Sequence, residues 1–126
     1  MQTNRKTVLV VEDDVAVRKF SLVTLRNHGY RTLEAHDGDS GFTVFLRHKD
    51  DIDVILTDIV MPAVTGPEMI EKIAKVEPSV KIVFMTGTPD HPDLPRLAGK
   101  RYELLVKPFT PDQLATVVQN CLESCA

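Results

Sequence analysis

The sequence predicts an α/β fold in which five parallel strands form a doubly wound sheet with helices on both faces. Short runs rich in Val, Ile and Leu alternate five times with segments of helical character, and this alternation is typical of sheets built from repeated β-α-β units. The third run is apolar almost throughout, as expected for a strand that helices cover on both sides. With right-handed crossovers, the common order for five such strands is 2-1-3-4-5.

Five strands are predicted, each followed by a turn or loop signal. They are residues 7–11, 31–35, 53–58, 81–86 and 102–106. The second run, Arg-Thr-Leu-Glu-Ala, is the most polar and suits an edge of the sheet. The third run organises the chain, because its residues are apolar and yet it ends in a carboxylate, Asp58, shortly before Pro62.

Capping residues mark the ends of the predicted helices. Asp14 is placed to cap the first helix and Gly29 to end it, since aspartate accepts backbone hydrogen bonds at helix starts and glycine adopts the left-handed conformation past a helix end. The second helix follows Gly38 and the third follows Gly66. The last helix begins with Thr-Pro-Asp-Gln at residues 110–113, which is a capping box with proline at the first helical position.

The 126 residues predict one domain, with its core at about residues 7–122, because a chain of this length forms a single core. The net charge is −3, and no stripe of Lys and Arg indicates direct nucleic-acid binding. No apolar run approaches the ~20 residues that span a bilayer, and the polar start lacks a signal peptide's apolar core. We therefore expect a cytoplasmic protein without a membrane partner, in which Cys121 and Cys125 stay reduced.

Polar side chains lie at the ends of four predicted strands, all at the same edge of the sheet. They are Glu12, Asp13, Asp58, Thr86 and Lys107. Three neighbouring carboxylates repel one another unless one is protonated or a cation lies among them, and hard oxygen ligands partly open to water suit Mg²⁺. The lysine and the threonine would hold further oxygens of a phosphoryl group. The pattern predicts phosphoryl transfer onto Asp58, because a carboxylate can act as a covalent nucleophile.

The sequence resembles the receiver domains of bacterial two-component response regulators. The resemblance covers Thr7 to Leu122 and rests on four motifs: Val-Val-Glu-Asp-Asp at 10–14, Thr-Asp-Ile-Val-Met-Pro at 57–62 with Gly66 eight residues past Asp58, Met-Thr-Gly at 85–87, and Val-Lys-Pro-Phe at 106–109. The resemblance implies a flavodoxin-like fold with the strand order 2-1-3-4-5. The second motif, with Gly-Pro-Glu-Met at 66–69, is most similar to receivers attached to hybrid sensor histidine kinases.

The resemblance implies that Asp58 accepts the phosphoryl group and that Mg²⁺ is the cofactor. Asp13 and Asp58 would bind the ion directly, and Glu12 would act through a water molecule. The backbone carbonyl of Val60 would complete the protein ligands.

The resemblance also implies the contacts and partners of the phosphoryl group. Thr86 and Lys107 would contact it, and the Lys107–Pro108 peptide bond would be cis. The phosphodonor would be a sensor histidine kinase or a histidine phosphotransfer protein. Such a domain is a signalling switch, a monomer or weak dimer, and not an enzyme towards other substrates, because it catalyses only its own phosphorylation and dephosphorylation.

Two regions depart from the family pattern. At the position of the family's switching Tyr or Phe on strand five, this sequence has Leu104, and Tyr102 is the nearby aromatic residue. We therefore do not expect the usual aromatic switch. Between strands four and five, Pro89, Pro92 and Pro95 interrupt the region of the family's fourth helix. That helix should be short, irregular or absent, because proline is excluded from helix interiors.

The first helix scatters its apolar residues around its axis instead of collecting them in one stripe. Part of its apolar surface should therefore stay outside the core. We expect this surface, around Val15 and Leu22, to be the docking site for the phosphodonor.

Two other functions share parts of this pattern. A flavodoxin-like FMN protein has the same strand order, but it needs a Ser/Thr/Gly-rich phosphate loop where this sequence has Glu-Asp-Asp at 12–14. A hydrolase with an aspartyl-phosphate intermediate needs a general acid or base beside its nucleophile, typically an aspartate where this sequence has Val60. Flavin absorbance and turnover of a phosphate ester would distinguish these alternatives.

Overall fold

The computed structural model describes residues 5–97 and 99–124 and confirms the predicted sheet of five parallel strands. The strands are β1 (Thr7–Val11), β2 (Arg31–Ala35), β3 (Val54–Asp58), β4 (Ile82–Thr86) and β5 (Glu103–Val106). The helices are α1 (Val15–Asn27), α2 (Gly38–His48), α3 (Gly66–Val76) and α4 (Pro111–Glu123). The order across the sheet is β2-β1-β3-β4-β5, and every neighbouring pair is parallel.

Burial of the strands follows their order in the sheet. All residues of β1, β3 and β4 are buried, because these strands have neighbours on both sides and helices on both faces. The edge strands β2 and β5 are partly exposed. Lys81 precedes β4 instead of beginning it, and its Nζ donates to the carbonyl oxygens of Leu122, at 2.7 Å, and Ser124, at 3.1 Å. The end of α4 is thereby tied to the start of β4.

The sheet separates two apolar cores. One core lies against α2, α3 and the β4–β5 connection, and its buried members include Leu9, Phe45, Ile55, Ile70 and Phe84. The other lies against α1 and α4, and its buried members include Val10, Leu25, Leu56, Leu114 and Val118. Successive strand residues alternate between these cores, as the period of a β-strand requires. Full burial of each large apolar side chain stabilises the fold by about 1.5–3 kcal/mol. The two cores therefore hold the strands, and with them the strand ends, in fixed positions.

The four helices begin at side-chain caps. Asp14 caps α1 by accepting from the backbone N–H of Val17 at 3.0 Å. Asp37 caps α2 in a capping box. Thr65 caps α3 and Thr110 caps α4, both in capping boxes with proline in the first turn. The capping box predicted for the last helix is therefore confirmed.

The connection between β4 and β5 contains a single 3₁₀ turn, Leu94–Leu97, within its described residues. The prediction that the family's fourth helix is short or irregular is confirmed. Leu94 and Leu97 are nevertheless buried in the core beside α3, so the turn still covers this face of the sheet.

Polar contacts attach the same connection to α3. The hydroxyl of Thr65, the N-cap of α3, donates to Asp93 Oδ2 at 2.8 Å. Arg96 pairs with Glu71 through Nη2 and Oε1 at 3.0 Å. These contacts hold the connection in place of the hydrogen bonds that a helix would supply.

Strand β5 carries no aromatic side chain at the expected switch position. Leu104 is exposed there. Tyr102 packs edge-on against Phe84, with ring centroids 5.4 Å apart. The aromatic ring thus belongs to the core, which agrees with the expected loss of the usual aromatic switch.

Helix α1 leaves part of its apolar surface exposed, as the scatter of its apolar residues predicts. Val15, Phe20 and Val23 are exposed. The prediction for Leu22 is wrong, because this side chain is buried with Leu114 in the core between α1 and α4. The exposed surface is therefore made by the neighbouring positions on the helix.

Within the described residues, no helix is long and apolar enough to cross a bilayer. Cys121 is a buried free thiol, and burial raises its pKa. This agrees with the prediction of a reduced thiol. The same prediction for Cys125 lies outside the described residues.

Candidate functional site

Three carboxylates meet where β1 and β3 end side by side. Glu12 and Asp13 follow β1, and Asp58 is the last residue of β3. Each offers an oxygen within 4.8 Å of those of the other two. Glu12 and Asp58 are buried, whereas Asp13 is exposed, so the cluster opens to solvent on one side. The sheet order therefore produces the cluster that the sequence predicts.

Lys107 brings a positive charge into this cluster from the end of β5. Its Nζ donates to Asp58 Oδ2 at 2.8 Å and to Glu12 Oε1 at 3.1 Å. The Lys107–Pro108 peptide bond is cis, as the resemblance implies. The backbone N–H of Lys107 donates to the carbonyl of Thr86 at 2.8 Å, which fixes the end of β5 against β4.

The protonation of the site reflects burial and charge. Burial, followed by the charge of Asp58, raises the pKa of Glu12 to about 7, although hydrogen bonds from Asp14 and Lys107 oppose the shift. Burial acts to lower the pKa of Lys107, but its hydrogen bonds and ion pairs with Asp58 and Glu12 outweigh it and raise that pKa. At neutral pH, therefore, the lysine is charged and Glu12 is poised to gain or lose a proton.

The loop after β3 holds the Asp58 carboxylate from the other side. The backbone N–H of Val60 donates to Asp58 Oδ1 at 3.2 Å. The N–H of Gly66 donates to the carbonyl of Ile59 at 2.8 Å, and a Cβ at residue 66 would overlap the carbonyl oxygen of Asp58. Only glycine allows α3 to begin this close to the strand. This is a physical reason for Gly66 eight residues past Asp58.

Thr86 lies at the end of β4 and is buried. Its Oγ1 accepts from the backbone N–H of Thr88 at 2.9 Å and lies 3.1 Å from the hydroxyl of Thr88. The structure thus brings together Glu12, Asp13, Asp58 and Lys107, and it places Thr86 on the adjacent strand, bonded to Thr88. No motif in the sequence indicated that Thr88 would be the partner of Thr86.

One side chain at the site escaped the sequence analysis. Arg18, in the first turns of α1, donates from Nη1 to the carbonyl oxygen of Glu12 at 2.7 Å. Arg18 follows Glu12 by six residues and lies near the start of a helix, and this spacing could have indicated the contact. A long arginine near the first turn can reach back to the preceding strand end.

The donor set fits a magnesium ion. Carboxylate oxygens are hard ligands, and Mg²⁺ binds through one or two of them while it keeps several waters. Burial first, and then the charge of Asp58, raise the pKa of Glu12, and a divalent cation beside these oxygens would favour the charged carboxylate. The position of Val60 beside Asp58 is compatible with the predicted role of its carbonyl, which stays a prediction.

Comparison with known proteins identifies the family. The model of the response regulator receiver domain matches residues 8–119. The chain belongs to this family. The receiver is 34% identical over 118 residues to the sensor kinase CckA of Brucella abortus (strain 2308), covering 93% of this chain and 12% of that protein.

Two further comparisons agree. The response regulator receiver protein CpdR of the same organism is 32% identical over 123 residues, which cover 93% of this chain and 97% of CpdR. The crystal structure of the receiver domain from the hybrid histidine kinase CckA matches with a TM-score of 0.79 at 28% identity, covering 93% of this chain and 99% of that one. The receiver thus spans a small part of CckA and nearly all of CpdR. The predicted likeness to receivers of hybrid kinases is confirmed.

Proposed function

We propose that this receiver domain accepts a phosphoryl group on Asp58 in a Mg²⁺-dependent reaction and thereby acts as a switch in a two-component phosphorelay. The observation that carries the proposal is the position of Lys107. Its ammonium group donates to the carboxylate of Asp58 at 2.8 Å and to that of Glu12, which follows β1, at 3.1 Å. A nucleophile, oxygen ligands for a metal and a cationic anchor therefore converge on one point.

The side chains have distinct roles in the proposed transfer. A carboxylate oxygen of Asp58 bonds to phosphorus while the bond from phosphorus to the donor's imidazole nitrogen breaks, and the electron pair leaves with that nitrogen. Lys107 stabilises charge on the phosphoryl oxygens. Glu12 and Asp13 would hold Mg²⁺, which when bound would neutralise further charge on those oxygens. Thr86 would exchange its hydrogen bond with Thr88 for one to the phosphoryl group.

Replacement of Asp58 by asparagine should abolish phosphorylation. Acetyl phosphate with Mg²⁺ should add one phosphoryl group to the wild-type chain and none to Asp58→Asn, because the amide is a far weaker nucleophile than the carboxylate. Intact-protein mass spectrometry measures this directly. Asp51→Asn, which changes an exposed carboxylate, is the matched control and should be labelled like the wild type. Equal labelling of Asp58→Asn would disprove the assignment.

The two acidic residues after β1 should differ in their effect on Mg²⁺ affinity. We expect Asp13→Asn to weaken binding more than Glu12→Gln, since a direct ligand contributes a charge contact that a water-bridged one lacks. The two carboxylate oxygens of Glu12 already accept hydrogen bonds, one from Lys107 at 3.1 Å and one from the N–H of Asp14 at 3.1 Å. Calorimetric titration of each variant with Mg²⁺ gives the order. The reverse order would mean that the two roles are exchanged.

The proposed phosphodonor is a histidine kinase or a histidine phosphotransfer protein. Its docking site is the exposed apolar surface of α1, formed by Val15, Phe20 and Val23. Phe20 packs on Phe109 with ring centroids 5.9 Å apart, so this surface continues to the residue that follows Pro108. The phosphoacceptor edge and the docking surface are therefore contiguous, which suits a donor that must bring a histidine to Asp58.

Replacement of Val23 by lysine should slow transfer from a phosphorylated protein donor by about tenfold, equivalent to ~1.4 kcal/mol of lost docking energy. Phosphorylation by acetyl phosphate should be unchanged, because that small donor needs no docking surface. Val76→Lys changes a similarly exposed valine on α3 and should affect neither reaction. A Val23→Lys variant that accepts from both donors at the wild-type rate would exclude this surface.

We further propose that the domain catalyses only its own phosphorylation and dephosphorylation. Val60, where a phosphatase with this intermediate would need a general acid or base, is an exposed apolar residue. An FMN phosphate would meet the buried carboxylate of Glu12 after β1. The cytoplasmic location, the lack of direct nucleic-acid binding and the monomeric or weakly dimeric state stay predictions.

A further inference from the structure

Arg18 makes two contacts that the proposed chemistry does not use. Its Nη1 donates to the carbonyl oxygen of Glu12 at 2.7 Å, and its Nε donates to Glu34 Oε1 at 3.1 Å. The side chain is only 16% exposed, whereas that of Glu34 is 51% exposed. A largely buried side chain therefore joins α1 to the loop after β1 and to the edge strand β2.

The bond from Arg18 to the backbone lies immediately before Asp13. The carbonyl of Glu12 belongs to the peptide bond that leads into Asp13, and Arg18 is the one donor to it among the described residues. The N–H of Glu12 is held on the other side by the carbonyl of Ala35 at 3.1 Å. Because the peptide is planar, a donor that fixes the carbonyl also fixes the direction in which the next residue leaves.

The backbone around Asp13 is held on both sides, because Arg18 donates to the carbonyl of Glu12 and the N–H of Asp14 donates to Glu12 Oε2 at 3.1 Å. The side chain of Asp13 is exposed and makes no hydrogen bond or ion pair within residues 5–97 and 99–124. Its carboxylate nevertheless lies within 4.8 Å of those of Glu12 and Asp58. The backbone must therefore hold it there against the repulsion of two neighbouring acids.

We propose that Arg18 is a positioning residue that orients the peptide between Glu12 and Asp13 and so holds Asp13 in place to bind the metal. This inference rests on the proposed function for the presence of Mg²⁺. Groups that orient metal ligands typically change affinity by 10- to 100-fold when they are removed. The competing role, a positive charge that merely lies near the site, has the opposite sign, because removal of a nearby cation would strengthen the binding of another cation.

The test is calorimetric titration of the whole chain with Mg²⁺. Arg18→Met removes the charge and both donors but keeps the apolar stem, and we expect it to weaken Mg²⁺ binding by about tenfold. Arg18→Lys keeps the charge with a different donor geometry and should fall between Arg18→Met and the wild type. Backbone amide exchange at Asp13 and Asp14 in metal-free protein should also be faster in Arg18→Met, which reports the loop without any metal.

Arg26→Met is the matched control. Arg26 lies on the same helix and also reaches β2, where its Nε donates to Thr32 Oγ1 at 2.8 Å. Unlike Arg18, it does not contact the loop after β1. The Arg26→Met variant should bind Mg²⁺ with the affinity of the wild type. Glu34→Gln, which removes the ion pair of Arg18 but not its bond to Glu12, should lose less than about fivefold in Mg²⁺ affinity, since an exposed ion pair contributes little.

Each outcome has a definite meaning. Unchanged or tighter binding by Arg18→Met, or equal loss in Arg26→Met, would overturn the positioning role while leaving the proposed function intact. If the wild type bound no Mg²⁺, both would fall. If Arg18→Met did not fold, Arg18→Lys would decide, because wild-type affinity and amide exchange in that variant would overturn the inference.

Discussion

Replacement of Gly66 by alanine should lower the free energy of unfolding by about 3 kcal/mol or more, the upper range for overpacking in a closed site. The added Cβ would overlap the carbonyl oxygen of Asp58 and lie 3.1 Å from its carbonyl carbon and 3.2 Å from the Cα of Ile59. All three atoms belong to the backbone, so no side-chain rotation relieves the overlap. The start of α3 or the end of β3 must move.

Urea unfolding of the metal-free protein measures this cost. Gly87→Ala is the control, because a Cβ there meets no atom within 4 Å and the residue does not have a positive φ. It should be neutral or stabilise by up to about 1 kcal/mol, since alanine restricts the unfolded chain. A similar loss in both variants would show that the close approach of α3 to Asp58 is not the cause.

Replacement of Lys107 by methionine should have the second large effect, on both phosphorylation and stability. We expect phosphorylation by acetyl phosphate to slow by about 100-fold or more, as for loss of one preorganised electrostatic contact. In metal-free protein at pH 8, unfolding free energy should fall by about 2 kcal/mol, because the carboxylates of Glu12 and Asp58 lose their cation. This expected loss is smaller than the cost of breaking a fully buried ion pair, because the lysine side chain is 26% exposed.

The loss of stability should depend on pH in a stated direction. The pKa of Glu12 is about 7 in the folded protein against an ordinary value of 4.5, so it favours folding below pH 4.5, and that contribution is lost as pH rises through 7. At pH 5, Glu12 in the folded protein is mostly uncharged, and Lys107 has one carboxylate fewer to neutralise. The cost of Lys107→Met should therefore be smaller at pH 5 than at pH 8.

Unfolding curves at the two pH values check this dependence. Lys75→Met, which removes an exposed lysine on α3, should change stability by less than about 0.5 kcal/mol at both. The same cost for Lys107→Met at pH 5 and pH 8 would contradict the account of the Glu12 pKa.

The acidic cluster could be predicted because it depends on sheet order alone. Once β1 and β3 are neighbours, the residues that follow them must meet, whatever the details of their side chains. Lys107 was accessible for the same reason, since it follows β5 at the same edge. Their positions and residue types also predict Mg²⁺ binding and phosphoryl transfer onto Asp58, whereas the separate ligand roles of Glu12, Asp13 and Val60 rest on the resemblance to a family.

Other features could not be predicted because they depend on how long side chains bend and which helices touch. Leu22 was expected on the surface, yet α4 covers it, and periodicity within one helix does not reveal the neighbour of that helix. The prolines at 89, 92 and 95 indicated an irregular connection. They could not indicate that Asp93 bonds to Thr65, because that contact joins residues 28 positions apart.

The contact of Lys81 with the end of α4 determines where an attached probe would sit. Lys81 immediately precedes β4 and holds the carbonyls of Leu122 and Ser124, so the last described turn lies at the edge where the strands start. Asp58 lies at the opposite edge, about 16 Å away along a five-residue strand. A fluorophore or fusion partner joined after Ser124 would therefore leave the phosphoacceptor open to its donor.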